Sequence, residues 1–305
     1  MIRWLFSVLG YLAYTLVVLV FLLWWRFPAD EIARWCEARL HARYPALVWH
    51  IGSLKWQFPN RLVLDDIQGL SGREAMIDID SLTLTADLSS LVRKTRRITY
   101  KMRLYGGTGT GRIHLVPGQP FSCQGRFAGL DVEQMHGLVS RLKRAVRGRL
   151  GTTFSWQGSW PELRTRELSG MVTMENGLLP LRKPVLGLKK ISFSRLEAGV
   201  VYKKHAWLLD KGVLEAKTMH VSFHGKIMPA TDLGHFKIDI AGSLTPRAEL
   251  FRIAGSRDMA RTLRGFLRNG ALPFTVSGTA AEPAVQFPED LSRAMRYLRP
   301  RGGGR

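Results

Sequence analysis

From about residue 46 onward, apolar and polar side chains change places every second residue. Over 98–104, Ile98, Tyr100, Met102 and Leu104 fall on one side and Thr99, Lys101 and Arg103 on the other. Phe121, Cys123 and Phe127 oppose Ser122, Gln124 and Arg126, and Met219, Val221, Phe223 and Ile227 oppose His220, Ser222, His224 and Lys226. Phe236, Ile238 and Ile240 repeat the pattern against His235, Lys237 and Asp239. A period of two predicts antiparallel strands with one dry and one wet face. A parallel sheet needs continuous apolar runs with a helix between strands, and neither is present. Turn residues punctuate the pattern at Asn60, Gly106-Gly107, Pro117-Gly118, Asn176-Gly177, Asp210–Gly212 and Asp232–Gly234. At Asp78–Ser81 the apolar positions switch from odd (Ile77, Ile79) to even (Leu82, Leu84), which predicts a bulge.

Helical spacing is confined to a few stretches. Pro28 to Tyr44 places Ile32, Trp35, Cys36 and Leu40 on one face, with Pro28 at its start and Asp30 and Glu31 at the positive end of the dipole. Such a helix rests in a membrane interface or plugs the end of the following sheet. Val132–Val146 carries a stripe of Met135, Leu138, Val139, Leu142 and Val146. Arg247–Asn269 predicts two short helices broken near Gly255-Ser256, and Asp290–Leu298 a last helical turn or two.

Ahead of all this stands Trp4–Trp25, a stretch without a charged side chain. A helix of that length crosses a hydrocarbon core of about 30 Å. Trp4 at one end and Trp24 and Trp25 at the other suit an interfacial aromatic belt. A secretory signal would end in small residues, whereas Leu-Leu-Trp-Trp-Arg-Phe-Pro follows here. The expectation is therefore a single-pass membrane anchor over 1–26, with the N-terminus cytoplasmic and the body exported. A juxtamembrane amphipathic helix follows over 27–45, then a β-rich domain over 46–298 and a mobile basic tail over 299–305. The fold class expected is mainly β with a few helices: an elongated, curved antiparallel sheet behind one transmembrane helix.

Charge adds a partner class. The formal net charge of the 305-residue chain is +21, to which the anchor segment contributes only Arg3 and Arg26. So basic a body attracts anionic phospholipid or acidic lipopolysaccharide. Nucleic acid is a poorer fit behind an export anchor, because the clusters Arg93–Arg97, Arg141–Arg149 and Arg293–Arg305 are not interleaved with exposed aromatic residues. The two cysteines, Cys36 and Cys123, are too few for a disulfide scaffold and lack metal-ligand spacing. In an oxidising compartment they are able to pair; the helical spacing around Cys36 favours packing instead.

No catalytic constellation emerges. Walker, dinucleotide-binding, G-x-S-x-G and HExxH patterns are all missing. The run Gly106–Gly111 lacks the Lys-Ser/Thr that closes a phosphate loop and leads into a strand. His220 and His224 lie four apart on a strand, too far to chelate one metal easily. Asp65, Asp66, Asp78 and Asp80 suit turns and strand edges better than a cation site. The chain is expected to be non-catalytic, without cofactor or metal. Its candidate functional surface is the dry side of the sheet, represented by Ile98, Tyr100, Met102, Leu104, Phe121, Phe127, Met219, Val221 and Phe223.

Several motifs, in order, resemble one family. They are the anchor followed by Phe27-Pro28; Leu104-Tyr-Gly-Gly107 followed by Gly111-Arg-Ile-His-Leu; Gly212-Val-Leu-Glu-Ala with Gly225-Lys-Ile; and Leu272-Pro-Phe-Thr-Val-Ser-Gly278-Thr-Ala-Ala-Glu-Pro283. The set resembles protein N of the type II secretion system, and its last motif is similar to the closing strands of AsmA-like envelope proteins. The first resemblance implies a non-catalytic inner-membrane component that docks other secretion-system subunits. The second implies a bent sheet whose apolar β-groove holds lipid acyl chains, for binding or transfer within the cell envelope. The chain departs from the family pattern in its basicity and its Arg-rich tail.

Overall fold

The computed structural model describes residues 4, 8–12, 14–15, 18–19, 22, 26–72, 74–90, 95–142, 145–159, 164–230, 235–253, 257–291 and 293. The protein is mainly β. Fourteen strands form one sheet whose spatial order is the order of the chain, and every pairing is antiparallel. They are β1 (Val48–Gln57), β2 (Arg61–Ser71), β3 (Glu74–Ala86), β4 (Arg96–Leu104), β5 (Gly107–Leu115), β6 (Phe121–Asp131) and β7 (Arg147–Ser159), then β8 (Arg164–Val185), β9 (Leu188–Lys203), β10 (Ala206–Glu215), β11 (Met219–Met228), β12 (Lys237–Pro246), β13 (Leu272–Thr279) and β14 (Pro283–Gln286). At the usual strand spacing such a meander extends about 60 Å across the strands.

The alternation reads directly as burial. In β4, Tyr100 is buried and Ile98, Met102 and Leu104 are half-buried, while Thr99, Lys101 and Arg103 are exposed. The dry face holds three apolar clusters. One gathers Ile51, Leu54, Leu64 and Ile67 at the β1–β2 end. A central one is built on Tyr100, Phe121 and Cys123. The largest runs from β7 to β13 and takes in Val132.

Short helices close the two ends. Helix α1 (Ala29–Arg43) packs Ile32, Ala33 and Cys36 against the first cluster. Its Glu37 carboxylate accepts a 2.7 Å hydrogen bond from the Ile51 N–H on edge strand β1. The helix thereby covers an edge that would otherwise offer its backbone groups to another chain. Trp35, expected on the apolar face, is instead 61% exposed, with the Arg39 guanidinium 5.5 Å from its ring centre. The smaller Ala33 takes the inward position, because a bulky indole at that point would hold the helix off the strand.

Val132–Val146 resolves into a 3-10 turn at Val132–Gln134 and helix α2 (His136–Leu142), which leans on β3. At the far end, α3 (Ala248–Ile253) and α4 (Arg257–Gly265) are separate, as expected. Leu250, Leu263, Leu272 and Leu291 meet there as the most completely buried side chains among the described residues.

The phase switch at Asp78–Ser81 is one part of a larger crease. Gly52, Asp66 and Asp80 stand level on β1, β2 and β3, between the pairs Ile51↔Ile67↔Ile79 and Ser53↔Asp65↔Ser81. Asp66 adopts φ 56°, and Asp80 is the extra residue opposite the Leu104–Arg103 step of β4. All three strands exchange their inward and outward residues at this line.

Two expected turns prove to be irregularities inside strands. Asp210–Gly212 is a bulge in β10, with Lys211 at φ 49°. Asn176-Gly177 lies within β8, at the point where that strand parts from β7. Asp232–Gly234 lies outside the described residues, as does the tail 299–305.

Trp4 is helical and 72% exposed, while Trp24 and Trp25 lie outside the described residues. Among the described residues no helix is long and apolar enough to cross a membrane. The span over Trp4–Trp25 is described only at scattered positions, so the anchor remains a reading of the sequence.

Candidate apolar groove

The nine dry-face residues singled out from the sequence fall into two separate groups. Ile98, Tyr100, Met102 and Leu104 on β4 lie near Phe121 and Phe127 on β6, with β5 between them. Met219, Val221 and Phe223 are on β11, seven strands from β4.

The central group is organised by glycine. On β5 the inward positions are Gly107, Gly109 and Gly111, which leave a trench among large neighbours. A Cβ on Gly111 would stand 2.5 Å from the Tyr100 ring, and one on Gly109 would stand 2.5 Å from Phe127. These rings lie across the bare backbone and fill the space side chains would occupy. The Gly106–Gly111 run is thus a seat for aromatic residues. Phe127 in turn stacks on Phe154 with ring centres 5.7 Å apart, and Phe121 meets Trp156 edge-on at 4.8 Å.

Two polar groups are buried in this cluster. Burial pushes the Tyr100 hydroxyl far above its ordinary value, and the Cys123 thiol beside it adds to the rise. Burial also raises the Cys123 thiol, against a smaller lowering by the Tyr100 hydroxyl. Cys36 and Cys123 are both free; they belong to different apolar clusters. The second group is Trp156 Nε1, an indole N–H that is buried without a hydrogen-bond partner. Such a donor carries the full cost of desolvation unless something in the groove accepts from it.

The β11 group lines an apolar cavity of about 250 Å³. Met219, Val221 and Phe223 form its floor with Ile240, Leu244, Phe274 and Val276 from β12 and β13. Its roof is a ribbon that sequence reasoning missed. Beyond Leu178 strand β8 has lost β7, and before Arg195 strand β9 has not yet met β10. Between these points the two strands pair only with each other, as in Leu179↔Ile191 and Val185↔Leu188. Leu179, Leu181, Val185, Leu186, Leu188 and Ile191 reach the same cavity as Val276 and Val285 on β13 and β14. The ribbon therefore bends back over the dry face. The bend falls at Asn176-Gly177, where Asn176 has φ 51° and the Phe193 ring lies against Gly177 so closely that no Cβ fits.

The ribbon's turn is Leu186-Gly187, with φ 50° and 80°. Positive φ at both central positions matches the strand twist and normally selects Asn-Gly. A leucine tolerates it here because its side chain, only 2% exposed, sits in the core. The stretch Leu178-Leu-Pro-Leu-Arg-Lys-Pro-Val-Leu-Gly-Leu-Lys-Lys-Ile191 carries two prolines and no strict alternation, which hid it as a strand pair. Its density of leucine between cations was the available signal.

Among the described residues no group of three His, Cys, Asp or Glu is placed to hold a metal. His220 Nδ1 lies 2.6 Å from Glu215, which also binds Arg247 at 2.5 Å. The His220 bond, followed by the two partners' charges, holds the Glu215 carboxyl below its usual range. Arg247 further donates to the Ala216 carbonyl at 2.9 Å, tying the β10–β11 turn to the start of α3. In the crease, burial and then Asp80 and Asp66 raise Asp78, against a lowering by His136.

No family model matches the chain, and neither a curated protein nor a solved structure is significantly similar to it. The likeness to secretion protein N and to AsmA-like proteins rests on the motifs alone.

Proposed function

We propose that this chain is a non-catalytic, membrane-anchored envelope protein whose dry face is an AsmA-like groove for lipid acyl chains. The observation that carries this reading is the cavity under the ribbon, of about 250 Å³ and lined by apolar residues throughout. A dry apolar cavity of about 150 Å³ already accepts benzene, so this one accommodates the end of an acyl chain. Each methylene buried there contributes about 0.8 kcal/mol. The described α-helices lean chiefly on β1, β3 and β12. The basic body favours phospholipid or lipopolysaccharide as the source of the chain, and the anchor reading puts the groove on the periplasmic side of the inner membrane.

A second reading, docking of type II secretion subunits, has one structural observation in its favour. On the outer face, Met171 and Leu208 are 43% and 42% exposed, and Val201 lies beside Leu208. These residues form a small apolar patch on a side otherwise polar. A photoreactive amino acid at Phe223, followed by crosslinking in living cells and mass spectrometry, tests the proposal. A lipid adduct is expected. Capture of a secretion subunit at Phe223, or no adduct at all, would overturn the lipid reading. The same probe at Leu208 tests the docking reading.

A further inference from the structure

The ribbon that roofs the cavity has two unlike sides. Its inner side supplies Leu181, Leu186 and Leu188 to the cavity, while Lys189 and Lys190 are exposed. Arg182 and Lys183 stand in the same fourteen-residue stretch, and no acidic residue occurs between Glu175 and Glu197. Some cations elsewhere in the sheet are matched. Lys55 lies 3.8 Å from Asp65, Lys226 lies 3.4 Å from Asp239, and Arg147 lies 2.6 Å from Glu133. The ribbon also receives backbone hydrogen bonds from neither β7 nor β10, so side-chain packing alone joins it to the dry face.

We infer that the outer side of this ribbon is a docking surface for an anionic phospholipid bilayer, placed so that the membrane meets the roof of the acyl-chain cavity. A basic segment at an anionic surface gains attraction with each Lys or Arg within a Debye length. A folded protein partner would need an apolar anchor on the outer side of the ribbon, and the ribbon's leucines are turned inward. Contact with the bilayer gives the two-stranded roof a reason to lift. The apolar inner side then faces hydrocarbon in place of the cavity, and a chain end passes without crossing water. The opening rests on the lipid reading above; the docking stands without it.

The test uses the full chain in phosphatidylcholine nanodiscs, mixed with vesicles of pure phosphatidylcholine or of phosphatidylcholine with phosphatidylglycerol. Capture of the nanodiscs by the anionic vesicles alone is expected. Lys189→Glu/Lys190→Glu is expected to weaken it about tenfold or more at low salt, from the usual worth of a basic residue at such a surface. Lys101→Glu/Arg103→Glu, an equal charge change on exposed β4 positions, should leave capture within about twofold, because strand β4 does not face the docked membrane. Equal loss in both variants, or capture by neutral vesicles, overturns the docking surface. So does retention of an RNA or an acidic protein by the ribbon lysines with no vesicle capture. Binding of a fluorescent fatty acid to the detergent-solubilised protein is measured alongside. If it fails while ribbon-dependent capture persists, the cavity reading falls and the docking surface stands. If it is kept while capture is absent, the reverse holds.

Discussion

Leucine at the tip of the ribbon offers the sharpest trial of the structure. Leu186 has φ 50° and is 2% exposed, so the backbone penalises it while the core rewards it. Truncation to alanine removes the buried atoms and keeps the backbone penalty. Large-to-small changes at such sites cost about 2–5 kcal/mol, and a neighbouring cavity of about 250 Å³ leaves little chance of collapse around the gap. We therefore expect Leu186→Ala to lie near 3 kcal/mol, in the middle of that range. Leu186→Gly removes the same contacts but relieves the left-handed strain, about 1–2 kcal/mol for a residue with a Cβ. Against this stands the greater freedom of glycine in the unfolded chain, about 0.4–1 kcal/mol. Glycine should thus be the more stable of the two truncations by roughly 0.8 kcal/mol, the difference between the midpoints of those ranges and the reverse of the order at an ordinary strand or helix position. Urea unfolding of both variants measures the difference. Hydrogen exchange should place the loss in residues 179–191, which pair only with each other. An alanine variant more stable than the glycine variant, or faster exchange spread evenly over the sheet, would refute the inserted tip.

Other parts of the sheet give further expectations. Gly111→Ala should destabilise by about 1–3 kcal/mol in urea unfolding, because its methyl meets the Tyr100 ring. In the native protein Cys123 should resist maleimide at neutral pH until denaturant is added, since burial raises its thiol. Glu215 titrates below its usual range in the folded state, so its contribution is complete above the unfolded value and disappears as pH falls through the folded one. Acid unfolding of Glu215→Gln should accordingly show a shallower loss of stability across that window than the parent protein.

How much of this was legible in the sequence depends on the length of the pattern. Strict alternation over residues such as 98–104 and 219–227 fixed the strands, their faces and the antiparallel class, because a one-residue slip would bring every apolar side chain into water. The phase switch at Asp80 was readable for the same reason. The aligned irregularities at Gly52 and Asp66 were not, since each becomes a crease only when its neighbours are in register. Asn176-Gly177 has the chemistry of a hairpin turn. Here that chemistry serves a bend, and the actual turn ten residues later uses a leucine that only tertiary burial makes tolerable. Of the nine candidate residues, Tyr100, Met102 and Phe121 fall in one apolar cluster and Met219, Val221 and Phe223 in another, far apart along the sheet. The sequence held no long-range signal that would have joined Leu186 to Phe274.

The strictly sequential strand order bears on how such a molecule changes over generations. Each strand hydrogen-bonds only to the strands immediately before and after it in the chain, so a hairpin can be gained or lost away from the ribbon-roofed cavity without rerouting any other connection. Duplication of two strands would extend the greasy channel by about 10 Å and leave both end plugs intact. The span of the protein between whatever lies at its two ends is therefore set by a count of hairpins, and relatives of different reach need differ only in that count.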